Sequence, residues 1–169
     1  MKLAILPVLL MATFCSQVHA LVPVKTSIDV QAEISTVVSV YVNGQDVTNK
    51  SISVTMKDES GFMKGSTPPI QFVGNASTVS LTLQEPPAHG LTGPDNKIMS
   101  LATSWFNPDT NAEVSTSYPF SNIKVYPTVQ DIPDPQKGVK VIFKSTSRSE
   151  TFPLGTYSGT YTLTVTPQV

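Results

Sequence analysis

Enzymatic chemistry needs a nucleophile with its base, a metal cluster, or a pair of carboxylates. The sequence holds few residues of these kinds. Its histidines are His19 and His89, and its single cysteine is Cys15. His89 lies in Pro87-Ala88-His89-Gly90, a run of turn formers that reads as an exposed loop with no cysteine beside it. Asp131-Ile132-Pro133-Asp134 sets two acids three residues apart among prolines. Calcium takes roughly six to eight oxygen ligands, so an isolated pair reads as a solvated turn. Gly61, Gly65, Gly90, Gly93, Gly138 and Gly155 do not fall in a phosphate-loop spacing. Trp105 and the tyrosines have the chemistry of a sugar-binding platform, but Trp105 follows an alternating apolar run, which places it in a core. The expectation is a protein that is not an enzyme, with no catalytic residue, no cofactor and no metal.

Around these residues the elements divide into a leader and one β-domain. Met1-Lys2 is a short positive start, and Leu3 to Phe14 is apolar except for Pro7 and Thr13. Val18-His19-Ala20 then offers small or apolar residues at the positions a signal peptidase reads. The apolar run is shorter than the ~20 residues that span a bilayer. The pattern predicts a secretory signal over residues 1–20, cut between Ala20 and Leu21, and Cys15 leaves with it. The formal net charge is −1 over 169 residues, without a basic run, which argues against nucleic acid as a partner.

Downstream of the leader the periodicity is that of strands. Ile28, Val30, Ala32 and Ile34 alternate with polar residues, and Val38, Val40 and Val42 keep the phase up to the Asn43-Gly44 turn. Ile52-Val54-Met56, Ile70-Phe72, Val79-Leu81-Leu83, Ile98 to Phe106 and Lys140 to Phe143 follow. Tyr118 to Lys137 is proline-rich and reads as a long connection, with one short strand near Ile123 to Tyr126. The last run is the clearest: Tyr157, Gly159, Tyr161, Leu163 and Val165 alternate with serine and threonines. No segment carries a helical stripe. Short strands separated by turn signals predict an all-β, immunoglobulin-like sandwich.

The two ends carry the functional argument. An immunoglobulin-like sandwich needs an edge strand after the last patterned one, and only Pro167, Gln168 and Val169 follow it. The expectation is a fold one strand short, with an apolar groove and an unpaired edge. At the other end, Leu21 to Ile34 is a patterned segment of the kind strand donation between subunits requires. Patterning alone fits an ordinary first strand equally well.

A resemblance separates these two arrangements. Ile28-Asp29-Val30-Gln31-Ala32-Glu33-Ile34, followed by Val37-Val38 and Asn43-Gly44, resembles the start of mature major pilins of the colonisation factor antigen I type, assembled by the alternate chaperone–usher pathway. Gly155-Thr156-Tyr157-Ser158-Gly159 and the alternating run after it resemble the closing motif of that family, and Thr103-Ser104-Trp105 its short serine-tryptophan stretch. Thr36 departs from the pattern, standing where a proline is expected, and Asn107 to Lys137 matches poorly. The resemblance implies an incomplete immunoglobulin-like sandwich completed by a donor strand from a neighbour. It implies a donor strand over 21–35, with Ile28, Val30, Ala32 and Ile34 entering the groove and Val24 as a fifth, and a pilin domain over 36–169. Tyr161, Leu163 and Val165 would line the acceptor groove. The implied partners are identical subunits in a homopolymer, a periplasmic chaperone, an outer-membrane usher and a tip adhesin, and the implied location is a cell-surface fimbria. A secreted carbohydrate-binding module or fimbrial adhesin subunit is the alternative.

Overall fold

The computed structural model describes residues 35–168. The leader, the Ala20–Leu21 junction and the donor residues Val24, Ile28, Val30, Ala32 and Ile34 lie outside the described residues. Within them the chain is all-β, broken only by three single-turn 3₁₀ helices.

β1 (Val38–Val42) and β2 (Gln45–Asp46) form a hairpin through Asn43 and Gly44, whose φ values of 49° and 75° are those of a two-residue turn with positive φ at both positions. β5 (Ile70–Gly74) completes this sheet in the order β2-β1-β5. A second sheet has β6 (Thr78–Gln84) between β10 (Phe120–Lys124) and β12 (Thr162–Gln168). The third runs β3 (Lys57–Glu59), β4 (Phe62–Ser66), β11 (Lys140–Ser145), β8 (Ile98–Asn107), β7 (Gly90–Thr92). β9 (Ala112–Ser115) also pairs with β8. Every named strand pair is antiparallel.

The second and third sheets face each other across an apolar layer, which makes the immunoglobulin-like sandwich. Two aromatic pairs bridge the layers. Trp105 of β8 stacks on Phe120 of β10 at 6.1 Å between centroids, and Phe143 of β11 meets Tyr161 edge-on at 5.1 Å. Period-two alternation points Val79 and Leu81 of β6 inward, where they are 0% and 1% exposed. Trp105 is 0% exposed, a core residue as its position in the sequence suggests. The first sheet joins this core through Val42, Ile70 and Phe72. β5 runs directly into β6 past Gly74, whose Cα has the Val37 carbonyl so near that a Cβ would come within 2.1 Å of it.

The structure departs from the sequence reading in several places, among them β4, which that reading did not contain, and β10, which starts at Phe120 rather than near Ile123. Ile52, Val54 and Met56 alternate half-buried with exposed neighbours, but they pair in no ladder. The strand here is instead Lys57–Glu59, one step later, because Ser60-Gly61 supplies the positive-φ turn (56° and 82°) that folds β3 onto β4. The last patterned run is not one strand. Ser158 bridges Thr92 of β7, and the regular ladder begins only at Thr162. β7 and β9 carry no distinctive alternation: one is three residues long and the other is fully exposed.

Candidate functional site

β12 pairs with β6 along its whole seven-residue length without a register shift, from Thr162↔Gln84 to Gln168↔Thr78. Among the described residues it pairs with nothing else. Laterally paired residues share a face, so the pairing sorts the side chains. Leu163 stands beside Leu83. Val165 stands beside Leu81, which has Phe120 on its other side. Across this second row exposure rises outward, from a fully buried Leu81 to a half-buried Val165. The threonines at 162, 164 and 166 all face solvent. An apolar row that reaches a sheet edge half-covered, on a strand with no second ladder among the described residues, has backbone groups and apolar surface to which a further strand can add.

The approach to this strand is built by glycines and one tyrosine. Gly155 has φ +151°, and a Cβ there would strike Pro94 Cγ at 2.3 Å. The Tyr157 ring covers Gly93, where a Cβ would lie 2.2 Å from Cε1. Gly159 packs against the Gly90 carbonyl and Leu91. Thr92 and Ser158 exchange backbone hydrogen bonds of 2.8 and 3.0 Å, and the Tyr157 hydroxyl donates to the Pro153 carbonyl at 3.0 Å. The glycine-x-tyrosine-x-glycine motif therefore fastens residues 155–159 to residues 90–94 and aims the following residues into β12.

Of the sequence-predicted acceptor residues, Leu163 and Val165 lie in β12 and pack against the core half-buried. Tyr161 precedes β12 by one residue and turns its ring onto Phe143. Its hydroxyl is enclosed and has no hydrogen-bond partner among the described residues. Burial pushes this phenol above its ordinary pKa, and the Glu85 carboxylate adds to the effect.

The residues considered for other chemistry are spent locally. His89 is an exposed turn residue with φ 53°, its Nδ1 lying 3.3 Å from Glu85. Asp131 accepts from the Thr128 N–H and hydroxyl at 3.0 and 2.7 Å, and Asp134 accepts from the Gln136 N–H at 2.9 Å. Among the described residues no three His, Cys, Asp or Glu side chains gather as metal ligands. No described helix is long and apolar enough to cross a membrane.

The chain matches no protein-family model and no curated protein. Among solved structures it is similar to a chain of one described as "Chaperone-tip adhesin complex is vital for synergistic activation of CFA/I fimbriae biogenesis". The two share 14% identity at a TM-score of 0.45, over 78% of this chain and 42% of that one. This chain thus spans less than half of that chain's length.

Proposed function

We propose that the protein is a structural subunit of a bacterial surface fimbria, exported through the periplasm and polymerised by donor-strand exchange. The observation that carries the reading is the outer edge of β12: long, regular, uncharged, and backed by the half-buried Leu163 and Val165. The N-terminal segment of a neighbouring copy supplies the missing strand. Its backbone groups bond to those of β12, and Ile28, Val30, Ala32 and Ile34, with Val24 beyond them, cover the apolar row. A periplasmic chaperone holds this edge before assembly, an outer-membrane usher passes the subunit outward, and a tip adhesin can cap the homopolymer. The pilin-like motifs at both ends support this assignment over a secreted sugar-binding module. Trp105, the residue best suited to a sugar platform, is enclosed in the core.

The test moves the segment from trans to cis. Residues 21–34 are deleted and the same segment is appended after Val169 through a short flexible linker. Beside the simple deletion, this protein is expected to be a monomer on gel filtration and to unfold at a higher temperature. In the unaltered chain, Val30→Asp and Ile34→Asp place an unpartnered charge in the groove, so each is expected to stop donation while leaving the subunit able to accept a wild-type strand. Equal stability of the cis and deleted forms would sink the proposal.

A further inference from the structure

The outward face of the third sheet carries an arrangement that stability does not explain. Lys57 pairs laterally with Lys64, Lys64 with Lys144, and Lys144 with Ala102. Paired residues point to the same side of a sheet, so three lysines stand abreast on strands about 4.8 Å apart. Their side is the solvent side, since Val141, Phe143 and Ser145 of the same strand are buried. Like charges directly opposite each other on a sheet face are unfavourable. Lysine on an edge strand protects the edge, which accounts for Lys57, but Lys64 and Lys144 lie on inner strands. The acids on this face offset the row only in part. Glu59 pairs with Lys64 at 3.5 Å, and the Lys144 ammonium lies over the Phe62 ring at 4.8 Å rather than on a carboxylate.

Where the row ends, the small side chain of Ala102 leaves a depression. Its lining runs across the sheet from Lys64 on β4, through Lys144 and Ile142 on β11 and Ala102, Thr103 and Ser104 on β8, to Glu113 on β9. Ser104 donates to Glu113 at 3.0 Å, which leaves the carboxylate with further lone pairs to accept from a ligand. The site thus offers cations at one end, apolar side chains between, and a hydroxyl acceptor at the other. A ligand that satisfies all three has anionic groups, C–H faces and hydroxyl donors in the same unit. We infer that this face binds an acidic polysaccharide, a sulfated or carboxylated glycan chain whose charges lie along the lysine row while one sugar ring rests in the depression. A nucleic-acid backbone would satisfy the lysines but would bring phosphates towards Glu113. The inference does not depend on what completes β12.

The test uses the full exported protein with heparin as the probe, neutral dextran as its control and duplex DNA as the competing polyanion. Heparin is expected to bind and dextran not to bind. With three ionic contacts and a slope of about 0.7–0.9 per contact, raising salt from ~50 to ~200 mM lowers affinity roughly 20–40-fold. The Lys57→Ser/Lys64→Ser/Lys144→Ser variant is expected to lose at least about tenfold in affinity while its unfolding midpoint holds or rises, because repulsion is removed. Glu113→Ala is the sharper variant. If Glu113 accepts a sugar hydroxyl, heparin binding falls by about fivefold, the worth of one hydrogen bond, although the face becomes more positive. Ala102→Phe, at an exposed position, fills the depression and reports on the site if the triple variant does not fold; it is expected to weaken heparin binding. Any of four results overturns the inference: heparin bound no better than dextran, either the triple or the Ala102→Phe variant binding like wild type, tighter heparin binding by Glu113→Ala, or duplex DNA competing as well as heparin.

Discussion

The β3 and β12 edges face the same physical problem and meet it in opposite ways. β3 is three residues long, reads Lys-Asp-Glu, and is fully exposed. It is also fastened from outside its sheet. The Asp58 carboxylate accepts from the Gly61 N–H at 2.9 Å and from the Ser149 hydroxyl, and the Ser149 N–H donates to the Gly61 carbonyl. β10 is protected differently, by a register shift between Phe120 and Ile123 around Asn122 at φ 62°. Short, charged and bulged edges resist the addition of further strands. β12 has none of these devices over Thr162 to Thr166: it is regular, uncharged and half-apolar. Pro167 interrupts its donors only near the end.

The largest effect separates the interior of the second sheet from its rim. Leu81→Ala, at the fully buried middle of the row, is expected to cost about 2–5 kcal/mol in urea unfolding, whether or not a donor strand is present. Val165→Ala, one strand outward, is expected to cost about 1 kcal/mol in the open subunit, in keeping with its partial burial, and clearly more once a strand covers it in cis. If the Val165 cost is the same in both forms, the rim is not covered by that strand.

Next is the approach to β12. Gly93→Ala places a methyl group against the Tyr157 ring. Overpacking of this kind is expected to lower stability by about 1–3 kcal/mol. Hydrogen exchange would localise the loss to residues 155–168, and uniform loss across all strands would contradict the fastening role.

Smaller again is the effect of giving β12 the protection β3 already has. Thr162→Lys with Thr164→Lys, both on the solvent face, is expected to move unfolding by no more than about 0.5 kcal/mol. Strand acceptance should nonetheless slow, measured as the rate at which the subunit captures a peptide of residues 21–34. An unchanged rate would mean that charge is not what distinguishes these edges.

The smallest effect lies at β3. The hydroxyl of Ser149, and next the backbone N–H of Gly61, hold Asp58 below the usual carboxylate range. A depressed folded pKa contributes stability that is present above the unfolded value and lost as pH falls through the folded one. Wild type should therefore unfold slightly above Asp58→Asn at neutral pH. The gap should close in acid, below the ordinary aspartate pKa of 3.8. A gap that persists at the lowest pH would assign the effect to packing.

Much of this architecture can be read from residue types in order. Asn43-Gly44 permits positive φ at two successive positions, which few other pairs do, so the first hairpin was legible before any partner was known. Val79-Ser80-Leu81 and Leu163-Thr164-Val165 reveal which face is buried, because a strand's period of two is a property of its own backbone. Trp105 at the end of such a run belonged in the core for the same reason. Pairing is a different matter, since hydrogen bonds between strands depend on what arrives alongside. Ile52-Val54-Met56 has the pattern of a strand and takes no ladder, while Lys57-Asp58-Glu59, which lacks that pattern, takes one because the turn at Ser60-Gly61 delivers β4 to it. Gly155, Tyr157 and Gly159 announce a constrained segment, yet its other half, Gly90 to Pro94, is more than sixty residues away and is identified only by contact. The lysine row is the extreme case. Lys57, Lys64 and Lys144 are unremarkable along the chain and become neighbours only through two strand registers. Local alternation can say that a side chain faces water, but which other charges face water beside it is set by register between distant strands.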